Sequence, residues 1–133
     1  MCSAMYEWRE HTAELELVIE ADSAEDLFED ALRAFGELVG RGEGEPARHE
    51  VRAEGTDHAT LLAAWLEELI FLAEAQDFVP ERTVSLDLDG AALRASVEGR
   101  RDAPAHLVKA VTYHGLAVER HEGGWRGSLV LDV

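Results

Sequence analysis

The order in which two periodicities follow each other constrains the fold of this chain more than any other feature. Two segments repeat apolar residues at spacings of three and four, which is typical of amphipathic helices. Seven shorter segments alternate apolar and polar residues, which is typical of half-buried strands. The order is strand, strand, helix, strand, helix and then four strands. Two helices cannot cover both faces of so large a sheet, so we expect an α+β fold with both helices packed on one face of a largely antiparallel or mixed β-sheet.

Capping and turn residues predict where these elements begin and end. Ser23 has the character of an N-cap for the first helix, which is expected to end near Gly40. Thr56 or Asp57 can cap the second helix, which carries the broadest apolar face in the chain. Two hairpins are expected, one turning at residues 89–90 and one across the sequence "HEGG".

The charge balance is strongly acidic. The sequence holds 28 Asp and Glu residues against 12 Lys and Arg residues, which gives a formal net charge of −16. Such a surface repels phosphate backbones, so we expect no direct binding to RNA or DNA and favour a basic protein partner. At 133 residues the chain is predicted to form one domain, spanning residues 1–133.

Cysteine content and apolar runs bear on the compartment. Cys2 is the only cysteine, so neither an internal disulfide nor a thiolate metal site is expected. The opening residues, "MCSAMYEWREH", have neither the basic region nor the apolar run of a signal peptide. The longest apolar stretch is interrupted by Glu67, Glu68 and Glu74, which makes it unsuited to span a membrane. We therefore expect a soluble cytoplasmic protein.

The strongest chemical candidate is a group of carboxylates contributed by both ends of the chain. Glu14 lies on the polar side of an early alternating run, and Asp132 lies on the polar side of the last run, "WRGSLVLDV". Together with the α-carboxylate of Val133 they form an oxygen donor set suited to a hard divalent cation, Ca²⁺, Mg²⁺ or Mn²⁺. Lys109 could balance residual charge at the rim. The alternative is that Glu14 and Asp132 are outward-facing charges on unrelated strands.

Two histidines are further candidates. His11 lies at the entry to the second strand, and His114 follows Lys109 in "VKAVTYH". They are either hydrogen-bonded residues at a sheet edge or groups that act on a substrate or partner. The sequence contains no His-x-x-x-His pair, no phosphate-binding loop and no Ser in a nucleophile elbow, so the common catalytic motifs are absent.

Four segments together resemble the archease family. They are "HTAELELVIEADSAEDLFEDALRAFGELV", "LLAAWLEELIFL", "VKAVTYHGLAVE" and "WRGSLVLDV", and they occur in the family's order over nearly the whole chain. The first resembles an H-T-A-D motif that leads into a strand and a helix, and the last resembles an ending in which Asp precedes a final aliphatic residue. One difference is that Glu14 stands where the motif has Asp, which keeps the charge and adds a methylene.

This resemblance implies a protein cofactor rather than a free-standing enzyme. Archeases assist the RtcB-type RNA ligase, a GTP- and metal-dependent enzyme of tRNA splicing and RNA repair, by promoting guanylylation of its active-site histidine and multiple turnover. The resemblance implies that Glu14, Asp132 and Val133 bind the metal, calcium first and magnesium or manganese as alternatives. It further implies that Lys109 is functionally important, with His11 and His114 facing the partner. On this view the chain ends at Val133 because its terminal carboxylate is a ligand.

Two other functions stay open at this point. A metal-dependent phosphoesterase could use the same carboxylates, with His11 or His114 as the general base. A general chaperone or adaptor without catalysis could instead use an exposed sheet face, and its binding would then be indifferent to Asp132 and Lys109.

Overall fold

A computed structural model of the chain describes residues 5–11, 14–40 and 42–133, and it does not describe the side chains of Glu10 and His11. Seven strands and two helices follow one another in the order that the periodicities predict. They are β1 (Met5–His11), β2 (Glu14–Ala21), α1 (Ala24–Val39), β3 (Pro46–Glu54), α2 (His58–Gln76), β4 (Phe78–Asp89), β5 (Ala92–Arg101), β6 (Ala110–His121) and β7 (Gly124–Asp132).

The strands form two antiparallel sheets, and the predicted α+β class is confirmed. Sheet A has the strand order β1-β2-β7-β6, and sheet B has the order β3-β5-β4. The sequence led us to expect one sheet, and the structure refines this to two. Each helix contacts strands of both sheets and lies between them. Each sheet buries one face against the helices. The other face carries most of the charged strand residues, although Val18 and Val130 of sheet A and Ser96 of sheet B are buried on it.

The core lies between the helices and the inner faces of the two sheets. Its largest fully buried side chain is Trp65 of α2, which donates its indole N–H to the carbonyl of Phe28 in α1 at 2.9 Å. This bond satisfies the one polar atom of a large apolar side chain, so Trp65 joins the two helices without an unpaired buried group. Neither helix in the described part of the chain is both long and apolar enough to cross a membrane.

The predicted caps are present, and both predicted hairpins form, the first turning at residues 90–91, one residue later than expected. Ser23 accepts a hydrogen bond from the backbone N–H of Asp26 at the start of α1, and Asp57 accepts one from Thr60 at the start of α2. Gly40 ends α1 with φ at 114°, a conformation that glycine adopts more readily than other residues. The hairpin between β6 and β7 turns at residues 122–123, both with positive φ, as a tight two-residue turn requires.

One strand begins earlier than the alternation predicts. The sequence places a strand after Pro80, whereas β4 starts at Phe78 and passes through this proline. Pro80 lacks an N–H, but β4 is an edge strand of sheet B and its register with β5 shifts between Pro80 and Arg82. An edge position with a bulge tolerates the missing donor.

Tyr6 of β1 contacts Glu37 of α1, near the poorly solvated carboxyl group of Asp30. The hydroxyl of Tyr6 donates to Glu37, and burial together with this carboxylate raises the pKa of Tyr6 to about 12. In the described part of the chain the Oδ2 atom of Asp30 is buried without a hydrogen-bond partner. Burial, and then the nearby charges of Asp26 and Glu29, raise the pKa of Asp30 from 3.8 to about 6.

Asp30→Asn is therefore expected to stabilise the protein at neutral pH. The pKa of this acid is higher in the folded state than in the unfolded state, so the free energy of unfolding of the wild type falls as pH rises from about 4 to about 6. The gain in the variant should be full above about pH 6, near 1 kcal/mol because solvent screens this half-exposed group, and absent below about pH 4. Urea unfolding at pH 4 and pH 7.5 measures it.

The matched control is Asp87→Asn, which changes an exposed aspartate on β4. Equal gains for both variants at pH 7.5 would show that net charge, and not the burial of Asp30, sets the effect.

Candidate functional site

The two carboxylates that the sequence places at opposite ends of the chain lie directly opposite each other in sheet A. The antiparallel register of β2 and β7 pairs Glu14 with Asp132, and the register of β1 and β2 pairs His11 with Glu14. On the other side of β7, Asp132 pairs with Ala110 of β6. These positions form one row across the four strands, which we call the carboxylate end of sheet A.

The side chains of Glu14 and Asp132 project from the outer face of the sheet. Leu17, three residues after Glu14 in β2, and Leu131, next to Asp132 in β7, are fully buried in the core. Since residues alternate between faces, the two carboxylates point away from the core, and both are half-buried. Directly opposed residues have Cβ atoms roughly 5 Å apart, so two like charges here are destabilising unless a cation or a partner offsets them.

Val133 follows Asp132 at the end of β7. Its side chain is half-buried and packs against the hydrophobic core, so it lies on the face opposite to the two carboxylates. This packing holds the backbone of Val133 beside Asp132. The part of the α-carboxylate of Val133 in the oxygen donor set stays a prediction.

The donor set has the chemistry of a hard-cation site, but it contains few side chains. In residues 5–11, 14–40 and 42–133, no group of three or more His, Cys, Asp or Glu side chains is close enough to hold a metal ion. A metal here would need two side-chain carboxylates, the α-carboxylate of Val133 and water as ligands, which hard divalent cations accept. Residues 12–13 of the H-T-A motif and the His11 side chain lie outside the described residues, so their contribution stays a prediction.

Lys109 reaches the carboxylate end from the helix side of the sheet. Its backbone N–H donates to the carbonyl of Asp132 at 2.8 Å, which fixes the segment before β6 against the end of β7. Its side chain is exposed and lines a groove with Glu67 and Glu74 of α2. Among the described residues the Lys109 ammonium makes no ion pair, so it is available to a partner.

The structure does not bring His114 into the carboxylate row. The pairing of β6 with β7 passes from Thr112–Val130 to Ala117–Ser128, so the four residues Tyr113–Leu116 stand opposite the single residue Leu129. Within this bulge Gly115 has φ at 74°, and its carbonyl accepts a hydrogen bond from the Ser128 hydroxyl at 2.9 Å. His114 is exposed on the bulge, four residues beyond the row position Ala110. Alternation alone predicts a continuous strand here, and Gly115 is the only sign of the bulge.

One exposed residue near the site is not among the sequence candidates. Phe71 of α2 is 57% exposed and lies beside Lys109 in the groove. Helical spacing does exclude it from the apolar face of α2, but spacing does not indicate that it neighbours Lys109. The juxtaposition depends on how α2 crosses β6.

Comparison with known sequences identifies one family. Residues 6–133 match the model of the Archease protein family (MTH1598/TM1083). The protein archease of Methanopyrus kandleri is 35% identical, with 93% of this chain and 96% of the relative covered. The protein archease of Methanosarcina mazei is 31% identical, with 96% of this chain and 95% of the relative covered.

Solved structures share the fold. The solution structure of Methanobacterium thermoautotrophicum protein 1598 superposes with a TM-score of 0.69 at 22% identity, covering 96% of this chain and 98% of that one. The crystal structure of a Thermotoga maritima archease, described as a possible chaperone, has a TM-score of 0.62 at 25% identity and covers 97% of this chain and 98% of that one.

Proposed function

Because this chain belongs to the archease family, we propose that it is a non-catalytic protein cofactor that activates an RtcB-type RNA ligase in the cytoplasm. In tRNA splicing and RNA repair it would promote guanylylation of the ligase and its multiple turnover. The observation that carries the proposal is the direct pairing of Glu14 with Asp132 at one end of sheet A. Strands from both ends of the chain are needed to make this pair.

The position of the pair supports a role outside the fold itself. Both carboxylates project from the outer face, where opposed negative charges lower stability rather than raise it. Residues that lower stability at a solvent-facing sheet end are more readily explained by binding than by folding. Lys109, held to Asp132 by a backbone hydrogen bond, adds a positive charge at this end.

The proposed metal ligands are Glu14, Asp132 and the α-carboxylate of Val133. Their oxygen chemistry fits Ca²⁺ first, with Mg²⁺ or Mn²⁺ as alternatives. A bound divalent cation supplies positive charge that lowers the repulsion between an incoming group and a phosphate. The chain's own carboxylates hold that charge at the sheet end and orient it toward the ligase.

The remaining charges guide the encounter. A net charge of −16 attracts a basic surface of the ligase and raises the association rate, and salt screens this attraction. Lys109 then contacts an anionic group of the ligase or its nucleotide through an exposed ammonium. The acidic surface makes direct contact with the RNA backbone unfavourable, so we propose that RNA is bound by the ligase alone.

Lys109→Ala is expected to reduce stimulation of the ligase by about tenfold to a hundredfold, as loss of one charged hydrogen-bonded contact does. The assay follows guanylylation of the cognate ligase over many turnovers, with the ligase in excess over the chain. The matched control is Arg52→Ala, which removes an exposed cation from the outer face of sheet B and should leave stimulation unchanged.

Two results would contradict the proposed function. One is a ligase that turns over equally well with and without the wild-type chain. The other is hydrolysis of a phosphoester by the isolated chain, abolished by a chelator, which would identify a phosphoesterase. Equal activity of Lys109→Ala and wild type would remove only Lys109 from the site.

A further inference from the structure

An aromatic side chain interrupts the acidic outer side of α2. Phe71 is 57% exposed, although the other large apolar residues of this helix are buried in the core. Its neighbours on the exposed side are Glu67, Glu68 and Glu74. An exposed aromatic surrounded by charge contributes little to the fold, and aromatic residues of this kind are enriched at the centres of protein interfaces.

Phe71 borders a groove between α2 and the start of β6. The groove has a volume of about 470 Å³ and is lined by Glu67, Ile70, Phe71, Glu74, Ala75, Lys109 and Ala110. We call it the Phe71 groove. Leu107, which is 64% exposed, borders an adjoining small cavity that shares Ile70 and Glu74 with it. A second exposed apolar side chain therefore lies near the Phe71 groove, on the segment that leads into β6.

The groove is physically connected to the carboxylate end of sheet A. Lys109 lines the groove with its side chain, and its backbone N–H holds the Asp132 carbonyl at 2.8 Å. A partner seated in the groove thus touches the segment that also positions Asp132.

We infer that the Phe71 groove is the surface on which the RtcB-type ligase docks, through an apolar side chain flanked by arginine or lysine; this inference rests on the proposed function. The glutamates around Phe71 favour a partner whose contacting surface has a rim of Arg or Lys. The net charge of −16 likewise favours a positively charged partner surface. The apolar centre supplies affinity, and the acidic rim supplies orientation and salt dependence.

The test is a titration of the cognate ligase with the chain, read both as direct binding and as the rate of multiple-turnover guanylylation. Phe71→Ala should raise the dissociation constant and the half-maximal concentration by about tenfold or more, as truncation of an interface anchor does. Excess variant should restore the rate. The control is Val84→Ala, which truncates another exposed apolar residue, 46% exposed on β4 of sheet B, and should change neither quantity by more than about twofold.

A charge reversal tests the chemistry of the partner's rim. Glu74→Lys should weaken binding and flatten its salt dependence, whereas Glu50→Lys, at an exposed position on β3, should do so much less. Both variants change the net charge equally, so a difference between them reports the location and not the total charge.

The outcomes separate the docking surface from the function. If Phe71→Ala binds the ligase with wild-type affinity while an Asp132 variant still loses stimulation, the Phe71 groove is not the docking surface. The proposed function would then stand. Ligase binding that depends on Phe71 but brings no stimulation would support the groove and contradict the function. A Phe71-dependent change in the sedimentation of the chain alone, without any effect on ligase binding, would assign the groove to a second copy of this chain and overturn the inference.

Discussion

Replacing Asp132 with asparagine is expected to abolish stimulation of the ligase while leaving the fold intact. The substitution keeps the size of the side chain and removes one of the two opposed charges at the carboxylate end. Because like charges directly opposite each other are destabilising, the metal-free variant should be as stable as the wild type or more stable by a few tenths of a kcal/mol. Loss of function with no loss of stability would mark Asp132 as a binding residue.

The same variant tests the metal. A cation that binds only the folded state raises the melting temperature, by an amount that corresponds to about 2.7 kcal/mol at a hundred times the dissociation constant. Calcium, magnesium and manganese should therefore stabilise the wild type in the order of their affinity and leave Asp132→Asn unchanged. Glu14→Gln, and a chain with one glycine added after Val133, should lose the same stabilisation.

The control for these variants is Glu50→Gln, which neutralises an exposed glutamate on the outer face of sheet B. It should retain both metal stabilisation and ligase stimulation. If no divalent cation raises the melting temperature of the wild type, the proposed metal ligands are wrong. If wild type and Asp132→Asn stimulate the ligase equally, the carboxylate end of sheet A is not required for stimulation.

Gly36→Ala is expected to destabilise the fold by about 3 kcal/mol and to lower the melting temperature by about 10 °C. Alanine normally favours a helix over glycine by about 1 kcal/mol, so propensity alone predicts the opposite sign. In this structure a Cβ on Gly36 would lie 2.1 Å from the carbonyl oxygen of Pro80, an overlap that forces the backbone of α1 or β4 to move. Neither backbone is a flexible end that can yield easily.

Urea unfolding monitored by tryptophan fluorescence, to which the buried Trp65 contributes, measures this effect. The matched control is Ala64→Gly, in the middle of α2, which should lose about 1 kcal/mol from helix propensity. If Gly36→Ala proves more stable than the wild type, α1 and β4 are not packed at the distance that the structure gives.

Much of the local structure followed from the sequence. The two periodicities predicted seven strands and two helices in the right order, because a half-buried strand and a packed helix each impose their own spacing on apolar residues. Ser23, and Thr56 or Asp57, predicted the helix starts, since capping depends only on neighbouring backbone N–H groups; the structure uses Ser23 and Asp57. The polar sides of β2 and β7 were likewise readable, which is why Glu14 and Asp132 could be proposed as a pair.

The tertiary structure decided what depends on neighbours in space. Alternation shows which residues of a strand face inward, but not which strand lies beside it, so the division into two sheets was beyond the sequence. The bulge at Tyr113–Leu116 depends on pairing with β7, and the meeting of Phe71 with Lys109 depends on how α2 crosses β6. Apolar periodicity depends on one segment and the solvent around it. Strand register, the crossing of a helix over a strand and the approach of two backbones each depend on two segments. The sequence by itself therefore determined the elements and their buried faces, and packing alone decided which charges and apolar groups share a surface.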